Sequence, residues 1–176
     1  MAAMARLTLG DPAPSFELPG IDGRRHSLGD YGGQPVAVVF SCCHCPYVMA
    51  WEDRINAAAR DYAGRAGLLA INSNAGYLGD SFDDMKARAR EKGFVFPFLY
   101  DETQEVARAY GAARTPEVFL FDSAHRLVYH GAPDSDHTDP GAAEPYLRPA
   151  LEAALAGSEP PVVETPPVGC TIKWRS

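Results

Sequence analysis

Phe40-Ser41-Cys42-Cys43-His44-Cys45-Pro46-Tyr47-Val48 is the stretch on which the reading of this chain turns. It sets three thiols and an imidazole between an apolar run, Val36 to Phe40, and an amphipathic run that opens at Pro46. That order reads as a strand end, a short reactive loop and a helix start. Proline suits the first helical position, because the amide it lacks would have had no intrahelical acceptor there, so Cys45 falls at the N-cap. The unpaired amides and the macrodipole place partial positive charge at that point, which favours a thiolate, and the sulfur is expected near the amides of Tyr47 and Val48. Val48, Trp51, Ile55, Ala59 and Tyr62 then recur at three- and four-residue steps, with Glu52, Asp53, Arg54 and Arg60 on the other faces. Gly64 is the expected stop.

Outward from this loop, Val36 to Phe40 is β-branched and apolar on both faces, which suits the central strand of a buried sheet. Leu68 to Asn72 repeats that pattern. Upstream, glycines and prolines exclude a helix between Leu7 and Asp30, and Phe16-Glu17-Leu18 with Arg24 to Leu28 predicts a hairpin around Gly20-Ile21-Asp22-Gly23. Downstream, Ser81 is expected to cap a helix carrying Phe82, Met85 and Ala89, ended by Gly93. Phe96 to Tyr100 is an extended segment, and Asp101-Glu102-Thr103-Gln104 offers a capping box for a short helix with Val106 and Tyr110 inward. Val118 to Phe121 and Leu127 to His130 flank a polar turn as an antiparallel pair, and a last helix is expected over Glu144 to Ala156. The fold class is therefore α/β, a central mixed sheet flanked by helices with an antiparallel edge and an N-terminal β-hairpin. Residues 1–157 form one domain, and 158–176, with Pro160, Pro161, Pro166 and Pro167, an extended tail.

A chain of 176 residues with 46% hydrophobic content has room for a single substantial core. The net charge of −7 and the absence of a basic block argue against nucleic acid and leave a small molecule or a protein as partner. No run approaches the roughly 18 apolar residues needed to span a bilayer, and Met1 to Arg6 lacks the apolar stretch of a secretory signal, so no membrane and a cytoplasmic location are expected. Four cysteines, three of them clustered, are too few for a disulfide framework in such a chain, which turns the question to catalysis, redox exchange or metal. Cys42, His44 and Cys45 supply half of a zinc or copper site, but His125, His130 and His137 have no matching Cys pair. An interaction module that uses the tail as a docking arm is a third reading. Trp51, Tyr62, Phe82 and Tyr110 are assigned to the core.

The order of elements and the motifs resemble the thioredoxin-fold superfamily, and more closely its redoxin branch, the alkyl hydroperoxide reductase and thiol-specific antioxidant family. Within it the chain is similar to a peroxiredoxin-like group with a Cys-x-His-Cys-Pro-Tyr loop. Gly10 to Leu18, Val36 to Pro46, Thr115-Pro116 with Phe119 to Asp122, and the ending Gly169-Cys170-Thr171-Ile172-Lys173-Trp174 carry the likeness. Two positions depart from it. Cys42 stands where peroxiredoxins keep Thr or Ser, and Arg114 stands where many of the narrower group have Cys.

The resemblance implies a thioredoxin-like fold, a cis bond at Thr115-Pro116 and thiol chemistry on hydroperoxides or protein disulfides. It implies resetting by a thioredoxin-like or other dithiol, and no organic cofactor or metal. Two registers remain. Either Cys45, five residues after Phe40, attacks and Cys42 resolves, which agrees with the helix-start argument, or Cys42 is the outer thiol and Cys45 the buried one; in both, Cys42 and Cys45 share a disulfide. Cys43 is expected to face away. His44 is either a thiolate stabiliser and proton relay or a spectator, and Arg114 either tunes the thiol or is a plain surface cation. Cys170 is a second resolving thiol or a free one, and a homodimer is an open expectation.

Overall fold

The structure is a computed structural model, and it describes residues 6–175; Met1–Ala5, most of the segment read as lacking a secretory signal, and Ser176 lie outside the described residues. A five-stranded sheet is built from β3 (Val36–Ser41), β4 (Gly67–Asn72), β5 (Phe98–Tyr100), β7 (Glu117–Phe121) and β8 (Leu127–Gly131). Before it come β1 (Glu17–Pro19) and β2 (Arg25–Ser27), the expected hairpin, and two-residue strands β6 (Arg114–Thr115) and β9 (Cys170–Thr171) pair apart from it. The strand order is β5-β4-β3-β7-β8, parallel from β3 to β5 and antiparallel from β3 through β7 to β8. β3 takes the centre because every one of its side chains is buried.

The period-two alternation of the strands divides the core. Ala37, Val39, Ala70, Val118 and Leu120 face α1 (Pro46–Asp61), α2 (Phe82–Lys92) and α4 (Leu147–Ala156), meeting Trp51, Met85 and Leu151. Val38, Phe40, Leu69, Ile71 and Phe119 face the opposite layer, where α3 (Glu105–Tyr110) contributes Tyr110 and the N-terminal segment contributes Phe16 and Leu28. Fully buried Tyr110 packs edge-on against Phe40, Phe119 and Phe121 and donates its hydroxyl to the Pro14 carbonyl, so the polar tip is satisfied.

Helix punctuation follows the sequence at α2, where Ser81 Oγ accepts from the Asp84 amide at 3.0 Å, the Asp84 carboxylate returns to the Ser81 amide, and Gly93 closes in the left-handed region. It departs from it at α1, which ends at Asp61 with Tyr62 and not Gly64 as its C-cap, and at two later places. The box expected over residues 101–104 does not form: Gln104 is itself the N-cap of α3, and its side chain donates to the Ser73 and Lys173 carbonyls instead. Asp101 still serves the helix, accepting from the Ala107 amide at 3.0 Å. The last helix begins at Leu147, three residues later than read, because Glu144 bonds Ser135 and Pro145 bridges Asp134.

The tail is extended, as expected, and bound along its length. Val163 to Thr165 runs beside β8, the His130 amide donating to the Val163 carbonyl and the Thr165 amide to His130. Gly131, at φ +149°, allows this approach, since a Cβ there would lie 2.1 Å from Thr165 Oγ1. Farther on, Ile172 is buried in the core layer that holds Tyr110, its amide donating to the Ala113 carbonyl, and Arg108 lies over the Trp174 ring.

Candidate active site

The site lies where β3 runs into α1 and faces the loop that joins β6 to β7. Pro46 opens α1 and Cys45 is its N-cap, with φ −67° and ψ 129°. The Val48 amide lies near enough to favour negative charge on the sulfur without closing a full capping hydrogen bond, so the sulfur keeps other partners. The Thr115-Pro116 bond is cis. It turns the Thr115 carbonyl to 3.5 Å from Cys45 Sγ, while Thr115 Oγ1 lies 3.7 Å from Cys42 Sγ. The tail completes the group: β9 pairs antiparallel with β6, Thr115 opposite Cys170, and brings Cys170 Sγ to 2.6 Å from Cys45 Sγ. The helix-start reading does not anticipate this cover, under which Cys45 is only 4% exposed.

Electrostatics divide the thiols. The Cys42 thiol, acting as proton donor to the Cys45 sulfur, holds the Cys45 thiol down to about 4 against the cost of burial, helped by Cys170 and the Val48 amide. The proton stays on Cys42, whose thiol is pushed far above its usual range by the Cys45 sulfur, by burial and by the Asp80 charge. Cys43 faces the other way, into the core beside α1, and burial and Asp80 keep it protonated. Burial and its neighbour Cys45 push the Cys170 thiol up to about 11, while Lys173 and Arg114 pull it back.

The remaining residues singled out from sequence stand around this centre in other roles. His44 is half exposed and turns its Nδ1 to Asp80, at 3.4 Å. Asp80, fully buried, also accepts from the Cys43 amide at 2.7 Å and from Asn72 and Asn74, so it fixes the loop from below. Arg114 sends its guanidinium to the Gly169 carbonyl, which places its charge beside Cys170. Among the described residues no three of His, Cys, Asp or Glu converge as a metal cage.

Sequence reasoning missed Asp80, and it missed Glu117 and His130. Glu117 follows the cis-proline, is buried, and accepts from the Ala113 and Arg114 amides at 2.9 Å each and from His130 Nε2 at 2.6 Å. An acid at the head of the apolar run Val118 to Phe121 was the available signal. A buried carboxylate needs partners, and these fix the loop that faces Cys45.

Residues 9–130 match the AhpC/TSA family. The chain belongs to that family. A Mycobacterium tuberculosis protein whose name places it among the peroxiredoxins is 34% identical over 114 residues, which cover 64% of this chain and 69% of that one. The thiol-disulfide oxidoreductase ResA of Geobacillus thermodenitrificans is 29% identical over 119 residues, 66% of this chain and 64% of that one. The crystal structure of a hypothetical protein from Sinorhizobium meliloti is 36% identical, covers 98% of this chain and 97% of its own, and superposes with a TM-score of 0.89. This AhpC/TSA member is thus a thioredoxin-fold oxidoreductase of the peroxiredoxin and thiol-disulfide oxidoreductase kind. The family match ends at residue 130, so the tail that covers Cys45 lies beyond the matched span.

The ionisation of Cys45 can be read in alkylation rates, because only the anion reacts. The rate at Cys45 is expected to stay level from roughly pH 6 to pH 8 and to fall through an inflection at about 4. Cys42→Ala removes the principal donor and moves that inflection upward. Mass-resolved iodoacetamide labelling across pH measures both. An inflection in the range of free cysteine in the unaltered protein would contradict the donor arrangement.

Proposed function

We propose that the protein is a thiol-disulfide oxidoreductase in which the Cys45 thiolate attacks a polypeptide disulfide and an external thioredoxin-like dithiol resets the enzyme. The observation that carries this reading is the backbone pairing ahead of the cis-proline. A strand laid against Arg114 and Thr115 delivers a cysteine sulfur to Cys45, the pose that a disulfide-bearing chain needs for exchange. Cys42 supplies the proton that favours the Cys45 anion, and a Cys42–Cys45 disulfide is one route out of the mixed disulfide formed with substrate.

Hydroperoxide is the alternative oxidant, supported by the family and by the low-lying thiolate. What favours the disulfide over it is the strand-binding edge itself, to which Arg114 is tied through the Gly169 carbonyl. Thr115, Pro116 and Arg114 then serve as the strand-binding edge, and His44 with Asp80 as the support of the loop. No helix among the described residues is long and apolar enough to cross a membrane, and a cytoplasmic dithiol system is part of the proposal.

The test compares rapid-mixing oxidation of the reduced protein by peroxide with its reduction of insulin disulfides. Strong insulin reduction with a slow peroxide phase is expected. A fast peroxide phase carried by Cys45, with negligible insulin reduction, would assign the enzyme to hydroperoxides instead.

A further inference from the structure

We propose that Cys170, not Cys42, is the thiol that resolves Cys45, closing an intrachain Cys45–Cys170 disulfide in each cycle. The proposal rests on the reading of Cys45 as nucleophile. Its geometric basis is the 2.6 Å approach of the two sulfurs and the pairing that enforces it. Thr115 faces Cys170 and Arg114 faces Thr171 across β6 and β9, the Ile172 amide reaches the Ala113 carbonyl, and Ile172 is anchored in the core. Gly169 makes the approach possible, since a Cβ there would fall 2.0 Å from the Thr115 carbonyl oxygen. A thiol carried passively on a loose tail requires none of this.

The surroundings of the two candidate resolvers favour the same choice once Cys45 has been consumed. A resolving thiol must give up its proton, and the Cys45 anion, which opposes that in both, is gone in the mixed disulfide. What remains around Cys42 is burial and the Asp80 charge against ionisation, with the Thr115 hydroxyl and the Cys45 backbone as the lesser influences in favour. Cys170 keeps its lesser burial but also Lys173 and Arg114, both in favour. Cys170 is also the one thiol of the four that is not buried, so it is the sulfur that an incoming reductant meets.

The steps balance without a further reagent. With β9 displaced, the Cys45 thiolate attacks one sulfur of a substrate disulfide, forms a Cys45–substrate bond and expels the other sulfur as a thiolate that takes a proton from water. Cys170 loses its proton and attacks Cys45 Sγ; the Cys45–Cys170 bond forms, the Cys45–substrate bond breaks, and the second substrate sulfur leaves as a thiolate. The substrate gains two electrons and the Cys45–Cys170 pair loses them. An external dithiol then attacks the accessible Cys170 sulfur and expels Cys45, the better leaving group because its thiol is the more acidic.

The test is a single turnover of the reduced full-length protein with equimolar dipyridyl disulfide, followed by the pyridinethione released. The unaltered protein is expected to release two equivalents, and peptide mapping without reductant to find Cys45 joined to Cys170. Cys170→Ser and Cys170→Ala are each expected to keep the first release, which shows that the site has folded. They retain the pyridyl adduct on Cys45, the second release slowing by about ten-fold or more. Release of both equivalents at the unaltered rate by either variant, with Cys42 joined to Cys45, would overturn the assignment. A fast first release that survives in Cys45→Ser would instead remove the nucleophile assignment beneath it, so the two failures are told apart.

Discussion

Replacing Cys45 with serine reduces disulfide turnover to background, a loss of at least roughly a thousand-fold, the scale on which loss of a covalent nucleophile is felt. The reason is specific to this sulfur. Cys42, the Val48 amide and Cys170 all favour an anion at that position, and a serine hydroxyl does not ionise to use them. Neither neighbouring buried cysteine takes over, because Cys42 and Cys43 hold their protons through burial and the Asp80 charge. Insulin reduction by the purified variant, with its melting temperature as a control for folding, checks this. Substantial turnover in a folded Cys45→Ser protein would move the nucleophile elsewhere, Cys170 being the first to examine.

The largest effect on stability is expected from Glu117→Ala. The carboxylate is 1% exposed and its oxygens are divided between the Ala113 and Arg114 amides and His130, itself fully buried. Truncation strips all three donors of their acceptor at once, in a place that water does not reach, and costs about 3–5 kcal/mol. Among the described residues His130 Nδ1 already has no hydrogen-bond partner, so the ring has no second anchor to fall back on. Glu117→Gln keeps an oxygen for the amides and loses less. Urea unfolding of the two variants measures the order, and an alanine variant as stable as the glutamine one would show that the carboxylate carries no weight.

The parts of the fold readable from sequence were those set by local pattern. β3 declared itself because its residues are apolar on both faces, and the start of α1 because a proline can stand at a helix's first position and seldom inside it. The start of α4 was not legible: the Glu144 to Ala156 pattern is helical throughout, and only the contacts of Asp134 and Ser135 draw residues 144 and 145 out of it. Asp101 was legible as a helix-capping acid, whereas the turn of Gln104 toward Lys173 depends on a tail 69 residues away. The candidate site divides in the same way. Cys45 and Cys42 stood out by residue type and spacing, Thr115 and Pro116 only through the family resemblance. The position of Cys170, 125 residues from Cys45, is a product of strand pairing, which a Pro-rich composition does not encode.

Thr165 is clasped against Gly131, and only five residues farther on Cys170 rests on Cys45. A sulfur on so short a leash is present at the nucleophile at an effective concentration in the millimolar range or above. Any visiting chain therefore competes with a resident one, and abundance alone gains it little. It must bind the groove strongly enough to evict its occupant, which makes the enzyme a judge of fit before it is a donor of electrons.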